Sequence, residues 1–216
     1  MLKYILFDLD GTLTDPGEGI TNSVAYALEK YGIHVTDKSK LNCFIGPPLS
    51  QSFVKYYNFS EEESLKAVDV YREYFSFKGI FENELYDGIE KMLSQLIADG
   101  KTIILATSKP EIYAKQILQH FGISKYFSFV SGSMLNGERV DKHEVIEHAL
   151  CIAGICDRNL CVMVGDRLHD MIGAKKSNVK AIGVEYGYGS KEELVNSGAD
   201  KTVESVEELT SLLLSL

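Results

Sequence analysis

The spacing of apolar residues predicts a strand followed by helices at the start of this chain. An apolar run at residues 3–9 is typical of a buried strand. Beyond it, Ile20, Val24 and Leu28 recur at helical spacing, and Gly32 is a suitable residue to end that helix. The chain thus passes directly from a first strand into a helical region.

The helical pattern continues for many residues without a convincing strand. The segment IGPPLSQSFVKYYN is typical of a turn that opens a helix, with prolines tolerated in its first turn. Ser60 and Glu63 have capping-box spacing, and the residues that follow on one side are Leu65, Val68, Arg72 and Phe75. We therefore predict a small all-helical domain at residues 16–86, inserted after the first strand.

From residue 87 onward, helical and strand patterns alternate. The segment DGIEKMLSQLIADG predicts an amphipathic helix with an apolar stripe of Ile89, Met92, Leu93, Leu96 and Ile97. Strand-like runs occur in KTIILATS, YFSFVSG, LCVMVGD, VKAIGVEYG and DKTVES. Such alternation indicates a parallel sheet with helices on both faces. We predict an α/β fold, a doubly wound parallel sheet built from residues 1–15 and 87–216, with the helical domain as a cap.

The composition is acidic, and this argues against two classes of binding partner. With 22 Lys and Arg against 31 Asp and Glu, the 216-residue chain has a formal net charge of −9. An acidic surface repels nucleic acid and anionic membranes, so we expect neither as a partner. No apolar run is long enough to span a membrane, the first residues do not read as a signal peptide, and the four cysteines lack metal-site or redox spacing. We expect a cytoplasmic protein, a monomer or weak dimer.

Acidic residues follow two of the predicted strands. Asp8 and Asp10 come at the end of the first strand, Asp166 ends LCVMVGD, and Asp170 lies in the first turn of the next helix. Sites in open α/β sheets form beyond the carboxyl ends of the strands. Four converging carboxylates repel one another unless a cation lies among them, and Mg²⁺ is the usual ion where phosphate is also bound. The alternative is that these acids are solvated turn residues, with Asp166 capping its helix.

Hydroxyl and ammonium groups are predicted at the same edge of the sheet. Thr107 and Ser108 end the strand KTIILATS, and Lys142 precedes a later helix. Hydroxyls, backbone N–H groups and an ammonium suit a bound phosphate. Lys109 competes with Lys142 for the cationic role, because it lies closer to Thr107 in the sequence.

Four segments together resemble the motifs of the haloacid dehalogenase-like phosphohydrolase superfamily. These are DLDGTLTD, LATS, Lys142 and GDRLHD, and their order and spacing agree over essentially the whole chain. A helical insertion directly after the first motif is similar to the smaller cap class of phosphoglycolate phosphatase-like and β-phosphoglucomutase-like members. The resemblance implies a Rossmann-like core with this cap, and a two-step phosphoryl transfer.

The resemblance also implies a role for each motif residue. Asp8 would attack phosphorus and form an aspartyl-phosphate. Asp10 would protonate the leaving oxygen and then deprotonate the attacking water. Thr107 and Lys142 would hold the phosphoryl group. A carboxylate nucleophile is repelled by an anionic phosphate, so positive charge must offset that repulsion.

The metal site implied by the resemblance uses the acidic residues. The Asp8 carboxylate, the Asp10 main-chain carbonyl and Asp166 would hold Mg²⁺, and Asp170 would orient its waters. Gly46, in the cap segment CFIGPPLSQS, would lie near the substrate. These residues complete the predicted site.

The predicted function is Mg²⁺-dependent hydrolysis of a small phosphorylated metabolite, such as phosphoglycolate, a sugar phosphate or a nucleoside monophosphate. A phosphomutase of the β-phosphoglucomutase type is the first alternative, and a phospho-acceptor signalling domain is a distant one. The cap region holds 13 of the 22 Phe and Tyr residues. They could stack on a nucleobase, but aromatic residues more often fill a small helical core.

Overall fold

The core of the protein is a six-stranded parallel sheet. The computed structural model describes all 216 residues. The strands are β1 (Tyr4–Phe7), β2 (Thr14–Asp15), β3 (Glu84–Leu85), β4 (Thr102–Pro110), β5 (Phe127–Ser133), β6 (Cys161–Gly165), β7 (Lys180–Val184) and β8 (Lys201–Val203). The main sheet has the order β5-β4-β1-β6-β7-β8, and β2 and β3 form a separate two-stranded sheet. The predicted doubly wound parallel sheet is confirmed.

Helices connect the strands and account for most of the remaining chain. They are α1 (Gly17–Lys30), α2 (Leu49–Tyr57), α3 (Glu61–Phe75), α4 (Ile89–Ala98), α5 (Glu111–His120), α6 (Lys142–Ile152), α7 (Leu168–Lys176), α8 (Lys191–Asn196) and α9 (Val206–Ser215). Short 3₁₀ segments occur at Lys38–Phe44, Gly79–Phe81, Ser124–Tyr126 and Arg158–Leu160. No helix is both long enough and apolar enough to cross a bilayer.

The chain divides into two compact units. The core unit comprises Met1–Thr14 and Leu85–Leu216, and the helical unit comprises Asp15–Glu84. The chain passes from one unit to the other within the short strands β2 and β3. The domain boundaries expected from the sequence, residues 16 and 86, fall within two residues of these passages.

The first strand occupies the centre of the core unit. β1 pairs in parallel with β4 on one side and β6 on the other, with Tyr4 opposite both Thr102 and Cys161. Ile5 and Phe7 are completely buried, because a strand flanked on both edges and covered on both faces has no solvent-exposed side. The carboxyl ends of β1, β4 and β6 therefore lie side by side at one edge of the sheet.

The helical unit is packed around aromatic side chains. Phe44 and Phe53 have ring centroids 5.0 Å apart, and Phe53 stacks on Phe59 at 5.6 Å. Tyr71 and Phe75 form a further stacked pair and are both buried. These rings fill the core of their own unit, whereas Phe77 is 85% exposed.

The predicted buried faces of α3 and α4 need correction. The capping box of Ser60 and Glu63 is present at the start of α3, but Leu65 is 61% exposed and Ile97 on α4 is 43% exposed. Each follows a buried residue, Ser64 or Leu96, and one residue rotates a helix by about 100°, which turns the side chain away from the buried face. Arg72 lies at the partly exposed edge of α3, where it pairs with Asp69 at 3.2 Å.

The short helix α8 is absent from the predicted elements. Its signal is present in the sequence, because Ser190 caps the helix by accepting a hydrogen bond from the Glu193 N–H. A six-residue helix offers too few apolar positions for its period to be recognised.

Candidate active site

Carboxylates from three segments converge at the carboxyl edge of the sheet. Asp8 follows β1, Asp166 follows β6, and Asp170 lies in the first turn of α7. The backbone N–H of Asp8 donates to the Val164 carbonyl at 2.9 Å and continues the pairing of the two strands. All three side chains are buried, and a ligand oxygen of each lies within 4.8 Å of the others. Three of the predicted acids are therefore brought together.

Lys142 lies between two of these acids. Its Nζ is 2.7 Å from Asp8 Oδ1 and 2.8 Å from Asp170 Oδ1, and it donates to the Ala106 carbonyl at 3.1 Å. Burial would lower the pKa of Lys142, but the carboxylates of Asp170 and Asp8 outweigh it and raise that pKa. The ammonium is therefore charged and offsets part of the negative charge of the cluster.

The two acids that follow β6, Asp166 and Asp170, both have raised pKa values. Burial, together with the charges of Asp170 and Asp8, raises the pKa of Asp166 well above its usual value. Burial raises the pKa of Asp170 to about 6, although Lys142 opposes the shift. Buried carboxyls with raised pKa values are common at functional sites, and a bound cation would favour their charged form.

Asp166 does not cap its helix, contrary to the alternative considered from the sequence. The N-cap position of α7 is Arg167, whose N–H donates to Asp170 Oδ2 at 3.1 Å. Asp166 instead accepts hydrogen bonds from the Tyr188 N–H at 2.8 Å and from the Thr12 hydroxyl at 3.4 Å. Its carboxylate is thus fixed by segments that follow β1 and β7.

Asp10 has its own cationic partner. Lys109 Nζ lies 2.7 Å from Asp10 Oδ2, and the two side chains are only 6% and 13% exposed. Burial raises the pKa of Asp10, Lys109 opposes the rise, and Asp8 adds to it. The structure therefore places both candidate lysines at the site, where Lys142 contacts Asp8 and Asp170 and Lys109 contacts Asp10.

The hydroxyl residues lie inside the assigned strand and not beyond its end. β4 extends to Pro110, so Thr107 and Ser108 belong to its last residues. Thr107 is buried, and its Oγ1 accepts a hydrogen bond from the Lys109 N–H at 3.2 Å. Lys142 is the first residue of α6. These residues sit at the same sheet edge as Asp8, since β4 pairs with β1.

Gly46 belongs to the helical unit. Its φ is +100°, a left-handed conformation that favours glycine, and Pro47 and Pro48 follow it before α2. Its contact with a substrate stays a prediction from the resemblance.

A glycine-rich loop that the sequence analysis did not single out encloses Asp166. A Cβ on Gly187 would overlap the Asp166 Cβ, and one on Gly189 would overlap the Asp166 carbonyl. The Tyr186 hydroxyl donates to the Thr12 carbonyl at 2.9 Å. The repeated Tyr-Gly in YGYGS, directly after a strand, is the sequence signal that could have identified this loop.

Buried carboxylates and two lysines thus meet at the carboxyl edge of a parallel sheet, which is where α/β folds place their active sites. Residues 5–184 match the family model of haloacid dehalogenase-like hydrolases. The chain belongs to this family, as the motif resemblance predicted.

Relatives assign the chain to the phosphatases of the family. It is 48% identical over 195 residues to a "5'-nucleotidase" of Pseudomonas aeruginosa, covering 89% of this chain and 88% of that protein. It is 27% identical to a "Phosphoglycolate phosphatase" of Vibrio parahaemolyticus, covering 98% and 96%. The crystal structure of a "predicted phosphatase" from Clostridium acetobutylicum superposes with a TM-score of 0.97, at 51% identity and complete coverage of both chains. The phosphoglycolate phosphatase-like branch and the enzymatic class are thus confirmed.

One similar protein carries a different name. The chain is 37% identical over 187 residues to "Tyrosine-protein kinase PtkA" of Mycobacterium tuberculosis, covering 87% of this chain but 63% of that protein. A protein of similar sequence is therefore named for phosphoryl transfer to tyrosine.

Replacing Gly11 by alanine tests how closely the first motif must approach Asp166. Its φ is +82°, and a Cβ there would overlap the Asp166 carboxylate. Gly137 has φ +89° but has nothing within 4 Å of a Cβ. We expect Gly137→Ala to cost about 1 kcal/mol of unfolding free energy from backbone strain alone. Gly11→Ala should cost roughly 1–3 kcal/mol more from overpacking, as measured by urea unfolding. Equal losses would contradict the close approach.

Proposed function

We propose that the chain is a Mg²⁺-dependent phosphatase of small phosphate monoesters that acts through an aspartyl-phosphate on Asp8. The observation that supports this most strongly is the cluster of Asp8, Asp166 and Asp170, whose ligand oxygens lie within 4.8 Å of one another, with Lys142 paired to Asp8 and Asp170. Phosphate monoesters hydrolyse extremely slowly without a catalyst, so electrostatic positioning must supply most of the acceleration. A buried site with charges of both signs is suited to that task.

In the first step, a carboxylate oxygen of Asp8 attacks phosphorus. The bond from phosphorus to the ester oxygen breaks, and its electron pair stays with that oxygen. Asp10 gives its proton to this leaving oxygen. The Lys142 ammonium, 2.7 Å from Asp8, lowers the repulsion between the nucleophile and the anionic phosphoryl group. Thr107 and Ser108 would supply hydrogen bonds to the phosphoryl oxygens.

In the second step, water attacks the phosphorus of the aspartyl-phosphate. Asp10, now a carboxylate, accepts a proton from this water as the new oxygen–phosphorus bond forms. The Asp8–phosphorus bond breaks, and inorganic phosphate leaves. A carboxyl that alternates between acid and base works best with a pKa near the operating pH, and burial raises the pKa of Asp10 in that direction.

The acidic cluster fits a divalent cation with oxygen ligands. Asp166 is completely buried and forms no ion pair, and burial raises its pKa, which is the environment expected of a metal ligand. The carboxylates of Asp8 and Asp166 and the main-chain carbonyl of Asp10 would hold Mg²⁺, with Asp170 orienting its waters. When bound, the ion supplies positive charge beside the phosphoryl oxygens.

Nucleoside 5′-monophosphates are the substrate class to test first. The relative named as a 5′-nucleotidase is 48% identical, whereas the phosphoglycolate phosphatase is 27% identical. Both names describe phosphate monoesters, so the chemistry of the core unit would be the same for either. The leaving group would be selected by the helical unit, including Gly46.

We expect Asp8→Asn to abolish phosphate release while the protein stays folded, because an amide is not a competent nucleophile here. The assay measures inorganic phosphate from a panel of nucleoside 5′-monophosphates, phosphoglycolate and sugar phosphates, with Mg²⁺ or with a chelator. Asp87→Asn, an exposed acid of the core unit, is the matched control and should keep full activity. Substantial turnover by Asp8→Asn would exclude the covalent route.

The same panel separates the alternative reactions. Isomerisation of a sugar 1-phosphate without phosphate release would identify a phosphomutase. An aspartyl-phosphate that persists for many minutes with Mg²⁺ would identify a phospho-acceptor domain. Both remain predictions from the sequence.

Protein-tyrosine phosphorylation is a second candidate, supported by the mycobacterial relative. The match covers 63% of that protein, so the kinase activity can depend on parts outside the match. Incubation with labelled ATP and a tyrosine-containing polymer tests it. Label that becomes stable on tyrosine would favour the kinase, and release of phosphate alone would favour the phosphatase.

Metal binding has a readout independent of activity. A ligand that binds only the folded state raises the unfolding temperature by mass action. We expect Mg²⁺ to raise the unfolding temperature of the wild type and to leave that of Asp166→Asn unchanged, with both measured against a chelator baseline. An equal rise in both proteins would show that Asp166 does not hold the ion.

A further inference from the structure

The end of β4 contains a bulge. Ala106 lies opposite Ser131, but Pro110 lies opposite Ser133, so four residues of β4 advance against two of β5. The residues of β4 without a register partner on β5 are Thr107, Ser108 and Lys109. Bulges of this kind bend a strand and redirect side chains, often beside active sites.

Close backbone contacts fix the bulge. The Lys109 N–H donates to Thr107 Oγ1 at 3.2 Å. A Cβ on Gly132 would come within 2.8 Å of the Lys109 carbonyl and 2.6 Å of the Glu111 Cα. Only glycine allows β5 to approach so closely, and the backbone at Lys109 therefore has little freedom to move.

The Lys109 side chain is directed to Asp10 and holds one of its two carboxylate oxygens. Lys109 Nζ is 2.7 Å from Asp10 Oδ2. Asp10 Oδ1 is also buried but makes no hydrogen bond within the protein. Lys142 forms its ion pairs with Asp8 and Asp170, at 2.7 and 2.8 Å. Each buried lysine thus serves a different part of the acidic cluster.

We propose that Lys109 is a positioning residue for proton transfer, which holds Asp10 by Oδ2 and so presents Oδ1 to the leaving oxygen and then to water. This inference rests on the proposed function, in which Asp10 is the acid and base. Misplacing a catalytic group by about 1 Å can cost on the order of 10²-fold in rate. A lysine that clamps the phosphoryl group directly would act in a different way, and the two roles give different kinetics.

The test compares two substrates that differ in their need for an acid. The alkoxide of a nucleoside 5′-monophosphate must be protonated as it leaves, whereas the phenolate of 2,4-dinitrophenyl phosphate leaves without a proton. The measured quantity is kcat/KM, because it reports the steps up to leaving-group departure and not hydrolysis of the aspartyl-phosphate.

We expect Lys109→Met to lower kcat/KM for the nucleotide by about 10²-fold and for the dinitrophenyl ester by less than about threefold. Lys109→Arg keeps the charge and should restore most of the nucleotide activity. The control is Lys115→Met, which removes a lysine that is 58% exposed on α5 and pairs with Glu111. Its activity on both esters should equal that of the wild type.

A direct clamp on the phosphoryl group would give another result. Lys109→Met would then lose activity equally on both esters, and inorganic phosphate would inhibit it more weakly. Either that pattern or an unchanged kcat/KM on the nucleotide would overturn the positioning role.

A double variant tests whether any loss of activity in Lys109→Met comes from misfolding. Comparison with Asp10→Asn then tests this inference independently of the proposed function. Lys109→Met leaves the buried carboxylate of Asp10 without its partner and can destabilise the fold. The double variant, which combines Asp10→Asn with Lys109→Met, removes both charges and avoids this cost. If Lys109 acts only through Asp10, the double variant should match Asp10→Asn within about twofold, and a much lower value would overturn the proposal. Asp10→Asn alone must lose activity mainly on the nucleotide. Equal losses on both esters would refute acid catalysis by Asp10 and overturn this inference, whereas the proposed covalent route would fall only if Asp8→Asn kept substantial turnover.

Discussion

Buried carboxylates that repel one another set the main constraint on this structure. Asp8, Asp166 and Asp170 come from separate segments and lie within one small volume. An isolated buried charge is very costly, and a cluster of like charges is more so unless positive charge lies within it. Lys142 meets part of this requirement, while burial and the neighbouring carboxylates still raise the pKa values of Asp166 and Asp170. A bound cation, as proposed above, would favour the charged form of both carboxyls.

Rigid elements hold these charges in place. β1 is paired on both edges, so the residues at its end cannot move apart without breaking the sheet. Around Asp166, Gly11 and Gly187 remove the side chains that would otherwise keep its neighbours away. The pairing of Lys109 with Asp10 is a second element of the same arrangement, and Lys109 lies within the β4 bulge. The close approach of these charged groups follows from backbone geometry.

The two units contribute different parts of the proposed chemistry. Every acid and lysine of the cluster belongs to the core unit. The helical unit supplies no member of this cluster, and its buried aromatic rings pack on one another. Under the proposed function, other residues of the helical unit would select the leaving group.

The sequence by itself determined the fold class, the inserted helical segment and the motif acids. Strand and helix periods differ clearly, and the residue at the end of a parallel strand must lie at the edge where sites form. Local spacing could not decide which helix face is buried at Leu65 and Ile97, because the neighbouring residue that is buried instead, Ser64 or Leu96, lies only about 100° away on the helix.

The division of the two lysines between the acids was decided by tertiary structure alone. Lys109 and Lys142 were both candidates for one cationic role, and sequence distance from Thr107 favoured Lys109. Lys109 lies within the β4 bulge and pairs with Asp10, while Lys142, at the start of α6, pairs with Asp8 and Asp170. Ion pairs between residues remote in the chain depend on where the backbone places each group to within an ångström or so. That placement results from packing across the whole core unit, so it cannot be predicted from the local sequence pattern.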